Sequence, residues 1–127
     1  MTPSSILSTA ADTLGFTADE RATFAALEDA AQRRHPVEYG QLLELANDPE
    51  IRRRHAELRL QQPALIKEEM AWLAATIRRA VEESPDAAWA VLFLTLAWRM
   101  VLTRKVEHRL NPAATRVTPS AFVYAMQ

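Results

Sequence analysis

Residues 87–98 read AAWAVLFLTLAW, twelve positions without a charge and with Thr95 as their one polar side chain. A helix that is apolar on nearly every side has no face to offer water, so other protein must surround it. A membrane span would need about 20 apolar residues. This run stops between Asp86 and Arg99, and Arg104, Lys105, Glu107 and Arg109 follow soon after. It is too short and too interrupted to cross a bilayer. The run therefore predicts the central helix of an all-α bundle, over about 85–110 and roughly 39 Å long at 1.5 Å per residue. A second subunit covering part of it is the alternative.

The rest of the chain supplies the cover. Only two of the 127 residues are glycine, and Ala, Leu, Glu and Arg, all strong helix formers, dominate. Glycine-rich phosphate loops and glycine-turned hairpins have almost no material to be built from. Thr2-Pro3, Asp48-Pro49, Ser84-Pro85 and Thr118-Pro119 each place a capping oxygen directly before a proline. The oxygen accepts an orphan N–H, and proline at the first helical position needs no donor. Thr17 to Glu20, TADE, reads as a capping box. These signals predict six to seven helices in a single domain: Pro3 to Leu14, stopped by Gly15; Ala18 to Arg34, limited by Pro36; Val37 to Ala46; Pro49 to Gln61; Pro63 to Glu83; Pro85 to Leu110; and a short tail, Pro119 to Gln127. The stripe Ile66, Met70, Leu73, Ile77, Val81 is the cleanest amphipathic pattern. No segment reads convincingly as a strand.

Cysteine is absent, which removes disulfides, cysteine-based zinc sites and thiol catalysis together. The opening MTPSSILSTAADTLG lacks a basic segment followed by a long apolar one, so no secretory signal is expected and the cytoplasm is the default location. His35, His55 and His108 are scattered, and none has a second ligand one helical turn away. Glu68-Glu69 and Glu82-Glu83 are adjacent on helices, so their members point in different directions and make no acid–base dyad. No nucleophile motif or dinucleotide fingerprint is present. The expectation is a protein without catalytic residues, metal or cofactor, of the alanine- and arginine-rich kind common among small bacterial accessory proteins.

Charge is unevenly spread. Residues 1–50 hold three arginines against nine carboxylates, whereas residues 87–127 hold five cations against Glu107 alone. Opposite ends of this kind can neutralise each other within one molecule, pair between copies, or meet a charged partner. Arg99 shares a narrow polar stripe with Thr95 and Thr103, and burial there would demand a carboxylate or carbonyl partner. Arg104, Lys105 and Arg109 suit the C-terminal end of a helix dipole and equally an acidic surface. Trp72 lies off the main stripe of its helix, where it is either covered by a neighbour or exposed as an interface anchor.

The leading expectation is a helical module that docks on another protein, as an accessory subunit, adaptor, inhibitor or regulator, through Trp72, Arg99, Arg104, Lys105 and Arg109. The alternative is nucleic-acid contact. VEYGQLLELAND followed by IRRRHAELR outlines a helix-turn-helix, with Arg52, Arg53, Arg54 and Arg59 on the second helix. Against it, residues 37–61 carry five carboxylates and four arginines, and the chain as a whole has net charge −1. A homo-oligomer, in which the acidic half of one copy meets the basic end of the next, is a third arrangement.

Overall fold

A computed structural model describes residues 3–83 and 87–112. They form seven helices: α1 (Pro3–Leu14), α2 (Ala18–Arg34), α3 (Pro36–Ala46), α4 (Pro49–Gln61), α5 (Pro63–Glu83), α6 (Ala88–Leu96) and α7 (Trp98–Leu110). No strand occurs among the described residues. The protein is an all-α bundle.

The helix ends follow the chemistry of their caps. Thr17 Oγ1 accepts from the Glu20 N–H at 3.2 Å, and Glu20 Oε1 accepts from the Thr17 N–H at 2.8 Å, closing the capping box that starts α2. Asp48 accepts from the Glu50 N–H at 2.9 Å and Pro49 follows it. Gly15 ends α1 at φ +74°, the left-handed conformation that glycine adopts without a Cβ penalty. The turn brings the Phe16 N–H onto the Ala11 carbonyl at 3.0 Å and buries the Phe16 ring edge-on against Phe24 at 4.6 Å. The other proline-capped starts, at residues 2, 84 and 118, and the tail helix at 119–127 lie outside the described residues.

The long helix expected over 85–110 is two helices. Ala97 sits at φ −90°, ψ 25° between them. The Ala97 N–H still reaches the Phe93 carbonyl (2.8 Å) and the Val101 N–H the Ala97 carbonyl (3.1 Å), so the break orphans neither group. Its physical reason lies in the two faces that must be served. α6 packs against α1, α2, α3 and α5, while α7 packs chiefly on α4 and α5.

The expected centre holds. Val91, Leu92, Thr95, Leu96 and Ala97 are buried, and the main core gathers Ile6, Ala10, Leu14, Phe24, Leu42, Leu73 and Ile77 around them. The Thr95 hydroxyl donates to the Val91 carbonyl at 2.7 Å, so its inward position leaves no polar group unmet. A smaller cluster, Leu58, Ile66 and Val106, ties α4, α5 and α7 together. Deleting one of the fully buried leucines, Leu73 for instance, would cost about 2–5 kcal/mol in transfer and cavity terms.

Candidate functional site

The expected basic residues fall into three groups, separated by what already holds them. In the first, α5 and α7 bring together Trp72, Lys105 and Arg109. Lys105 Nζ lies over the Trp72 ring at 4.1 Å and 3.9 Å from Glu69. Arg109 donates to Glu68 at 2.7 Å and to Glu69 at 3.1 Å. Glu69 is buried, and these two cations compensate its charge. Trp72 keeps 38% of its surface exposed, but one face of the ring is taken by Lys105.

Lys105 and Arg109 are thus countered by α5, not by the acidic first 50 residues. Of the carboxylates of that half, Asp12 pairs with Arg21 and Asp29 with Arg33 within it, while Glu50 pairs with Arg53. Glu20 reaches across to Arg78, and this guanidinium together with the Thr17 N–H holds the Glu20 carboxyl down to about 2.

The second group is on α4. Arg53 is held between Glu50 and Glu57 on its own helix, and Arg54 pairs with Glu107 of α7. α3 and α4 scarcely touch; α4 packs on α7 and α5, and α3 on α2 and α6.

The third group has no such partners. Among the described residues, Arg52, Arg59, Arg99 and Arg104 make no ion pair. Arg99 is half-buried, with its guanidinium 4.7 Å from the centre of the Trp98 ring. Burial and the nearby Arg52 and Arg59 push its pKa down. Its neighbours Thr95 and Thr103 on the polar stripe are fully buried. His55 meets Trp98 edge-on at 5.0 Å and is held down to about 4 by burial and by the charges of Arg99 and Arg59.

One surface escaped the sequence reading. Trp89 belongs to the apolar run and so reads as core, yet it is 39% exposed. With Ala90 exposed and Phe93 and Leu94 half-buried, every outward residue of α6 is apolar. Trp89 forms a ridge with a groove on each side. Leu27, Ala31, Arg34 and Leu92 line one; Gln41, Leu42, Leu45 and Phe93 line the other. The His35 ring supports the ridge edge-on at 6.4 Å. The first groove measures about 230 Å³, below the roughly 300–1,000 Å³ of a typical small-molecule site. A signal existed in the sequence: the run offers no polar outer residue once Thr95 is turned inward.

Among the described residues no group of three or more histidines and carboxylates is placed to hold a metal ion, and no helix is long and apolar enough to cross a membrane. No protein-family model, curated protein or solved structure matches this chain.

Proposed function

We propose that the protein is a non-enzymatic helical module that docks on another protein through the outer face of α6. The observation that carries this reading is the orientation of α6: its one polar side chain, Thr95, points into the core, while Trp89, Ala90, Phe93 and Leu94 point outward. Aromatic anchors flanked by apolar grooves are the usual hot spots of protein interfaces. The grooves are shaped to take the side chains of an apolar helix face laid along α6. Arg34 on one flank and Glu38 on the other make no ion pair among the described residues, so both are available to a partner's rim charges. Of the two partly exposed tryptophans, Trp89 is the stronger anchor, because Lys105 and its carboxylate partners already occupy the surroundings of Trp72.

The experiment is site-specific crosslinking. A photoreactive residue at position 90 is irradiated in nuclease-treated lysate of the source cell, with and without Phe93→Asp. One crosslinked protein band that disappears with Phe93→Asp supports the reading. Crosslinks that are diffuse, or indifferent to Phe93→Asp, overturn it.

Nucleic-acid contact remains the second reading, supported by Arg52 and Arg59, which are exposed and unpaired among the described residues. Arg53 and Arg54 would first have to leave Glu50, Glu57 and Glu107. Salt separates the readings: phosphate contacts on a duplex give a slope of about −0.9 each in log affinity against log salt, while an apolar face responds little.

A further inference from the structure

Three buried side chains on α4 and α7 have polar atoms without a hydrogen-bond partner. His55 has both ring nitrogens buried and unbonded, Trp98 Nε1 is buried and unbonded, and so is the Thr103 hydroxyl. All three residues are at least nine-tenths buried. Arg52 and Arg59 stand one turn before and one turn after His55 on the same face of α4, and Arg99 covers the Trp98 ring that His55 abuts. None of the three guanidiniums meets a carboxylate among the described residues. The nearby Arg54–Glu107 pair is closed on itself.

Buried donors are ordinarily satisfied, and a half-buried arginine ordinarily has an anion beside it. Here Arg52 and Arg59 act electrostatically on Arg99 with no carboxylate paired to any of the three among the described residues, and the buried Trp98 N–H and Thr103 hydroxyl lack a partner. We infer that Arg52, Arg59 and Arg99, backed by His55, Trp98 and Thr103, form a binding site for one phosphate group. A phosphate monoester dianion fits better than a carboxylate, because its several oxygens can take two-pronged bonds from more than one guanidinium. The site is separate from the Trp89 face and does not depend on it. Free phosphate and a phosphate carried on a small organic group share this chemistry.

The test titrates the full chain with inorganic phosphate, phenyl phosphate and acetate at constant ionic strength, following the Trp98 indole N–H by NMR. Arg99→Met, the Arg52→Met/Arg59→Met pair and the control Arg53→Met are compared. The expected result is saturable one-to-one binding of phosphate with a Kd of about 1 mM or tighter. It should weaken by about tenfold or more in Arg99→Met and in the double variant, and stay unchanged in Arg53→Met. Phenyl phosphate binding more tightly than inorganic phosphate would identify an organic phosphate as the natural source; equal affinity would identify the free ion. Methionine keeps the length of the arginine stem, and thermal unfolding of each variant establishes that it is folded. The inference is overturned if phosphate leaves the indole signal unmoved, if all variants bind alike, or if acetate binds as well as phosphate.

Discussion

The rings of His55 and Trp98 meet edge-on at 5.0 Å, and neither makes a hydrogen bond through its ring nitrogens. His55 is therefore a neutral histidine held in a cationic neighbourhood, and its pKa falls from 6.5 to about 4. Between those values the unfolded chain binds a proton that the folded chain refuses. Stability should thus be full above about pH 6.5, decline as pH falls towards 4, and lose at most about 3 kcal/mol over the window. Denaturant midpoints measured from pH 7 to pH 4 check this. His55→Phe should remove most of the slope.

Arg99 gives the opposite kind of test. Its charge is desolvated and faces Arg52 and Arg59, so removing it should help the fold. In phosphate-free buffer, Arg99→Met is expected to stabilise by about 1 kcal/mol, read from urea unfolding. A loss of stability would mean that the guanidinium makes a favourable contact absent from this arrangement.

Tyr39 and Glu28 form a buried pair joining α3 to α2, the phenol donating to the carboxylate at 2.9 Å. Burial raises the Glu28 pKa, only partly offset by that bond. Glu28 therefore favours the fold at low pH, and the benefit is lost as pH rises through its folded pKa. Tyr39→Phe takes away the donor and should cost about 1–3 kcal/mol. The cost should be larger at pH 8, where the carboxylate is charged, than at pH 4. Paired thermal melts at the two pH values measure the difference.

The two glycines should respond with opposite signs. A Cβ at either position meets nothing within 4 Å, so backbone conformation alone decides. Gly15→Ala forces a side chain into φ +74° and should destabilise by about 1 kcal/mol. Gly40→Ala lies within α3 and should stabilise by about 0.5–1 kcal/mol. Calorimetry of the two variants against the parent settles both signs.

The helices were legible because their signals are local. Thr17 to Glu20, Asp48-Pro49 and Gly15 state their caps within a few residues, and the stripe through Leu73 and Ile77 states its buried face by spacing alone. What was not legible depends on distant neighbours. The break at Ala97 has no proline or glycine to mark it; it accompanies the packing of α7 on α4, which is not among the main neighbours of α6. Glu28 looks like a surface residue until Tyr39 arrives from the next helix. The same holds for the expected site. Spacing cannot reveal that Arg53 and Arg54 are engaged by carboxylates while Arg52 and Arg59, beside them, are not. Arg99 was recognisable as anomalous, but its company of His55, Trp98 and two more arginines was not. Trp89 was hidden by the run that contains it, since an apolar sequence says that cover is needed without saying which side lacks it.

α7 draws the counter-charges of Lys105 and Arg109 from α5, while Arg52, Arg59, Arg99 and Arg104 leave positive charge around α4 and α7. A net charge of only −1 conceals these four cations, unpaired among the described residues. They add attraction for an anionic partner at low salt, and salt at 0.1 M screens that attraction beyond about 10 Å.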